Sequence, residues 1–113
     1  MFIAMNRFKV EKQAAQQFED LWSRRDSYLH EVDGFMGFHL LRGPEREDHI
    51  LYASHTAWRS EVEFLAWTKS DHFRKAHANA GSTKPLYLGA PEFEGFTAVQ
   101  EIAADGAKRV MRP

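Results

Sequence analysis

Phe35-Met-Gly-Phe-His-Leu-Leu-Arg42, the polar run Gly43-Pro-Glu-Arg-Glu-Asp48 and His49-Ile-Leu-Tyr-Ala-Ser-His-Thr-Ala-Trp58 lie at the centre of the chain. Two aromatic and aliphatic runs, separated by a segment carrying glycine, proline and charge, read as the strands and turn of a β-hairpin. On the N-terminal side stands another strand, Phe2 to Val10, with Phe2, Ala4, Asn6 and Phe8 on one face and Ile3, Met5 and Arg7 on the other. Glu11 to about Arg25 follows with helical periodicity. Ala14, Ala15, Phe18, Leu21 and Trp22 form its apolar stripe, which continues weakly through Tyr28, Leu29 and Val32 until Asp33-Gly34 ends it.

The C-terminal side repeats the pattern. Ser60-Glu-Val-Glu63 fits a capping box, and a helix runs from it toward Thr68 with Val62, Leu65 and Ala66 as its core stripe. Ser70-Asp71 supplies a second start signal, after which Phe73, Ala76, His77 and Ala80 follow the spacing of one helix face. Asn79 to Pro91 carries two glycines and two prolines and reads as a long loop, Phe93 to Ile102 as the last strand. The order β-α-β-β-α-β is the ferredoxin-like α+β pattern, an antiparallel sheet with both helices on one side. One domain covers residues 1–103, and residues 104–113 form a basic tail expected to fray. Phe35, Gly37, His39 and Leu41 alternate with Met36, Phe38 and Leu40, so both faces of the hairpin are apolar. The face without helices then needs a cover, and a second copy of the same sheet, in a two-fold dimer, is the simplest one.

Composition narrows the chemistry. A net charge of −1 gives no basic footprint for nucleic acid. The absence of cysteine excludes disulfides, thiolate metal sites and cysteine nucleophiles. Met1 to Met5 is too short an apolar run for a signal peptide or a membrane span, which makes a cytoplasmic protein without a membrane partner the expectation. Aromatic residues make up 13% of the chain, enough to fill a core and also line a pocket for a flat ligand.

Three side chains stand out. His77 lies on an apolar helical stripe, where an imidazole is either a hydrogen-bonded core residue or a ligand to a metal or bound molecule. Trp67 falls about one residue off the helical core stripe and reads as core or as a wall for a flat ligand. Asn6 shares a strand face with Phe2, Ala4 and Phe8; its amide needs a partner there, in the protein or in a ligand. The remaining histidines carry less. His30, His49 and His72 sit among charges and read as solvated, while His39 and His55 can pair across the hairpin with no carboxylate in phase to complete a metal site. No serine has a G-x-S-x-G context, and there is no glycine-rich phosphate loop.

From Phe2 to about Ile102 the chain resembles the IsdG-type haem-degrading monooxygenases of the antibiotic-biosynthesis-monooxygenase superfamily, which are dimeric α+β barrels. The resemblance is carried by Asn6 in Met5-Asn6-Arg7-Phe8, by Trp67 in Phe64-x-x-Trp67-x-x-Ser70-x-x-Phe73, and by His77 in Phe73-x-x-Ala76-His77. It implies that haem is both substrate and cofactor. His77 would be the axial iron ligand. Trp67 would lie against the porphyrin and help ruffle it, with Phe73 beside it, and Asn6 would contact the side where oxygen binds. It further implies an opened, bilin-type tetrapyrrole as product, released iron, O2 as co-substrate and electrons from an external reductant, in the service of iron acquisition. The propionates would lie in water or meet a cation, with Arg7, Arg24, Arg25, Arg74 and Lys84 as candidates. Two other readings fit the residues: a cofactor-free monooxygenase of the same superfamily acting on quinol-like substrates, for which an axial histidine has no use, and a haem carrier or sensor, which needs His77 equally.

Overall fold

The computed structural model describes residues 1–25, 28–76 and 86–111. Among them, β1 (Phe2–Val10), β2 (Phe35–Glu45), β3 (Ile50–Trp58) and β4 (Tyr87–Thr97) form one antiparallel sheet in the order β2-β3-β1-β4. Helices α1 (Ala15–Ser23), α2 (Glu61–Thr68) and α3 (Asp71–Ala76) complete the ferredoxin-like arrangement. The expected fold is the observed one. The polar turn of the central hairpin is shorter than its composition implied, because β2 continues through Gly43 and Pro44 to Glu45, with its register shifting after Arg42.

The helix-facing side of β1 carries Phe2, Ala4, Asn6, Phe8 and Val10, as the alternation required. Opposite each stands a residue of β3: Trp58, Thr56, Ser54, Tyr52 and Ile50 in turn. Large rings therefore meet at Phe2/Trp58 and at Phe8/Tyr52, while the two rows between them hold only small side chains. The core divides accordingly. One cluster joins Phe2, Ala4, Leu29, Trp58 and Phe64; the other joins Phe8, Val10, Phe18 and Tyr52.

Several local expectations are corrected. The first helix opens as a 3-10 turn (Lys12–Ala14) and ends at Ser23; Tyr28 adopts a left-handed backbone and Leu29–Glu31 is a separate 3-10 turn. Leu21, assigned to the buried stripe, is exposed, since Phe18 and Trp22 already fill the contact with the sheet. Phe35 does not share the face of Gly37, His39 and Leu41. The register shifts between Phe35 and Gly37, and this turns Phe35 onto Trp58. In α2 the buried face differs from the expected Val62, Leu65 and Ala66 stripe: Val62 and Leu65 are 75% and 45% exposed, whereas Phe64 and Trp67 point inward. Helix α2 is apolar nearly all the way round, so periodicity alone does not choose its face.

Of the region read as a loop, Asn79 to Pro91, the part from Tyr87 onward is strand; residues 79–85, Lys84 included, lie outside the described residues. The last strand ends at Thr97. Gln100–Ile102 (β5) and Lys108–Val110 (β6) form a separate hairpin, so part of the expected tail is paired strand. Gly95 shows how closely β4 approaches the core. A Cβ there would clash with the ring of Phe2, which is itself buried. Gly95→Ala must displace that ring, and overpacking of this kind costs about 1–3 kcal/mol. The expected result in thermal denaturation is a midpoint lower by roughly 4–15 °C; an unchanged midpoint would mean that β4 packs more loosely than described.

Candidate functional site

The small-residue rows of the sheet open into a cavity of about 710 Å³ between α1 and α2. Ala4 and Asn6 of β1 and Ser54 and Thr56 of β3 form its floor, flanked by Phe38 of β2 and Phe93 of β4. Trp22, Arg25 and Leu29 wall it on one side. Phe64, Trp67 and Thr68 of α2 and Phe73 of α3 wall it on the other. The size falls within the range of small-molecule and cofactor sites.

Each wall is braced by ring contacts. Trp22 stacks on Phe38 (5.8 Å between centroids, 12° between planes) and Phe64 stacks on Phe93 (5.8 Å, 6°). Trp67 leans on Trp58 at 5.3 Å and meets Phe73 edge-on at 4.8 Å. This last contact follows from the helix break. Ser60 caps α2, its hydroxyl accepting from the Glu63 amide at 3.3 Å; the chain then turns, and Ser70 caps α3 by accepting from the Phe73 amide at 3.2 Å. Both caps were legible in the sequence. Their joint effect, setting Phe73 across the face of Trp67, depends on the turn between them.

Of the residues singled out from sequence, Asn6, Trp67 and Phe73 converge on this cavity. His77, which directly follows the last residue of α3, lies outside the described residues. Trp22, Phe38, Ser54 and Phe93 were not singled out. Ser54 faces Asn6 only through the strand register, and the three rings looked like ordinary core. Among the candidate cations the structure separates the alternatives: Arg7 pairs with Glu94 on the opposite face of the sheet, Arg74 pairs with Asp71, and Arg24 is exposed. Arg25 reaches the cavity wall, its guanidinium 4.6 Å from the centre of the Trp22 ring, and burial holds its pKa below the usual arginine value. It stays charged there and can meet an anion.

The other histidines are placed as follows. His39 and His55 pair across the hairpin on the helix-free face, with ring centroids 5.7 Å apart. His49 is not solvated as expected: it is largely covered, and its Nδ1 lies 2.6 Å from Asp48. Among the described residues no group of three or more His, Asp or Glu is placed to hold a metal ion.

The position of α1, and hence of the Trp22 wall, is held by Glu19, whose carboxylate accepts from the Tyr52 hydroxyl and from Arg42. The Tyr52 hydrogen bond and the Arg42 guanidinium hold the Glu19 carboxyl below the usual glutamate range, while burial pushes the Tyr52 hydroxyl upward.

Comparison with known proteins places this geometry. The family model described as antibiotic biosynthesis monooxygenase matches residues 1–79, and the chain belongs to that family. A protein of Listeria welshimeri named heme-degrading monooxygenase is 35% identical over 91 residues, covering 74% of this chain and 75% of the relative. A Staphylococcus haemolyticus protein named heme oxygenase (staphylobilin-producing) is 34% identical over 89 residues, covering 74% and 79%. Among solved structures, the Mycobacterium tuberculosis heme-degrader MhuD, described with two hemes bound in its active site, superposes with a TM-score of 0.69 at 25% identity, over 91% of this chain and 100% of that one. SnoaB of Streptomyces nogalater, a cofactor-independent oxygenase, superposes with a TM-score of 0.64 at 24% identity, over 88% and 94%, a likeness of fold alone.

The Glu19 contact carries a pH signature. A carboxyl whose folded-state pKa is depressed adds stability above its unfolded value, near pH 4.5, and that stability is lost as pH falls through the folded value. The thermal midpoint should therefore fall as pH drops below about 4.5. The fall should be shallower in Glu19→Gln, which has no proton to take up. Parallel curves for the two proteins would remove Glu19 from the account.

Proposed function

We propose that this chain binds haem in the cavity between α1 and α2 and degrades it with O2 and electrons from an external donor. The products of this reading are a bilin-type tetrapyrrole and free iron. The observation that carries it is the cavity itself, a slot with aromatic rings on both sides and a floor of small side chains, in a chain whose curated relatives are named as haem-degrading enzymes. A macrocycle that is flat, apolar over its faces and acidic at one edge suits such a slot, and Arg25 is the cation on its wall.

The residues then take these roles. Trp67, held from behind by Trp58 and from the side by Phe73, presses on the macrocycle face. Asn6 presents its amide from the floor. His77, the residue after α3, ligates iron through a neutral imidazole, the role implied by the family resemblance. The bound macrocycle supplies the redox centre; the chain orients it between the two walls and places the Asn6 amide at its face. The cofactor-free alternative draws on fold likeness alone.

The working unit of this reading is a homodimer. On the helix-free face Leu41 and Phe96 are 40% and 44% exposed, and the β5–β6 hairpin leaves Ile102 and Val110 exposed as well. A monomer gains nothing from such surface, and self-complementary pairing of sheets covers it. No described helix is long and apolar enough to cross a membrane, and the proposed location is the cytoplasm.

Hemin titrated into the purified protein should give the absorbance band of protein-bound haem. Adding a reductant in air should bleach that band and release iron to a ferrous chelator. His77→Ala should keep the circular dichroism spectrum and lose turnover. Absence of the band, or a band that survives reductant and oxygen, would contradict the reading.

A further inference from the structure

The polar groups of the cavity differ in what is left for a ligand. Thr56 is engaged: its hydroxyl donates to the Ala4 carbonyl at 3.4 Å and accepts from the Trp58 indole at 2.9 Å. Thr68 is engaged too, donating to the Leu65 carbonyl at 2.7 Å. Asn6 and Ser54 are different. Both side chains line the cavity, both residues are half-buried, and neither side chain forms a hydrogen bond with any other described residue. Nor are their polar atoms sealed off without partners, as the Nδ1 of His55 is; they open into the cavity.

Register makes the two a unit. Asn6 and Ser54 are directly opposed on neighbouring antiparallel strands, which puts their Cβ atoms roughly 4.5–5.5 Å apart on the same face. The Asn6 amide offers two N–H donors and one acceptor, and the Ser54 hydroxyl offers one donor and two acceptor lone pairs. Each can satisfy the other in part and still aim a donor outward. On the floor the remaining described side chains are Ala4 and the engaged Thr56, so this couple is what the floor offers a ligand there, apart from Arg25 on the wall.

We propose that Ser54 is a specificity-determining residue of this cavity. Its hydroxyl and the Asn6 amide together donate hydrogen bonds to the small acceptor, whether dioxygen, water or an anion, held against the face of the flat substrate. The proposal rests on the haem reading above and adds to it a residue outside the Asn6, Trp67 and His77 set. A single donor fixes a distance, whereas a pair fixes a direction across the macrocycle. The Asn6–Ser54 couple thus biases which edge of the ring meets the acceptor.

The test uses azide as the probe on the ferric, hemin-loaded protein, with hemin uptake measured first. Ser54→Ala should take up hemin with an affinity within about twofold of the parent and bind azide roughly 3- to 10-fold more weakly, the loss expected for one hydrogen bond. Ser54→Thr keeps the hydroxyl and should hold azide within about twofold. Normal hemin uptake with unchanged azide affinity in Ser54→Ala would overturn the assignment, as would equal losses in both variants. A parent protein that takes up no hemin would overturn the haem reading itself, and this inference with it, at the first titration.

Discussion

The arrangement of side-chain size along one pair of strands governs the rest of the molecule. Between β1 and β3 the helix-facing rows run large, small, small, large: Phe2/Trp58, Ala4/Thr56, Asn6/Ser54, Phe8/Tyr52. Two residues along a strand span roughly 6.6–6.8 Å, so the large rows stand about 20 Å apart. At one end Phe64 of α2 packs on Phe2 and Trp58; at the other Phe18 of α1 packs on Phe8 and Tyr52. The helices are supported at opposite ends, and among the described residues the β1 and β3 rows between them carry only small side chains, with Phe38 and Phe93 at the flanks. The cavity is therefore a product of packing in a chain that otherwise buries its rings closely.

That division has a consequence for how the walls are held. Neither wall rests on a large common core, so each needs its own brace. On the α1 side the brace is the Glu19 contact to Tyr52 and Arg42, with Trp22 stacked on Phe38. On the other side it is the pair of serine caps, with Trp67 wedged among Trp58, Phe64 and Phe73. Rings fixed at both walls and small groups on the floor give a slot shaped for a flat ligand, and the polar couple at its base gives that ligand an orientation. Function follows from which positions are kept small as much as from which residues are reactive.

Much of this is legible in the sequence alone. The period-two alternation of β1 put Asn6 on the buried face, the Ser60 and Ser70 signals marked two helix starts, and the doubly apolar hairpin put His39 beside His55. What escaped was what depends on a partner strand or on shape. Ser54 gains meaning only from standing opposite Asn6, and register is not written in a single strand. The face of α2 was misread because Val62, Leu65 and Ala66 are as apolar as Phe64 and Trp67; burial went to the larger rings, which gain more from it. Phe35 left its expected face because of a register shift that alternation cannot show. Gly89 and Pro91 read as loop punctuation, yet both lie within β4, close to where its register with β1 shifts between Arg7 and Lys9.

The central claim is that the slot between the two ring clusters is where a flat, iron-bearing ligand sits. Anomalous diffraction at the iron edge from crystals of the hemin-loaded protein addresses it directly. An iron peak enclosed by Asn6, Trp22, Trp67 and Phe73 is the predicted result. A peak on the helix-free face, against His39 and His55, or at the outer surface with the slot empty, would contradict it.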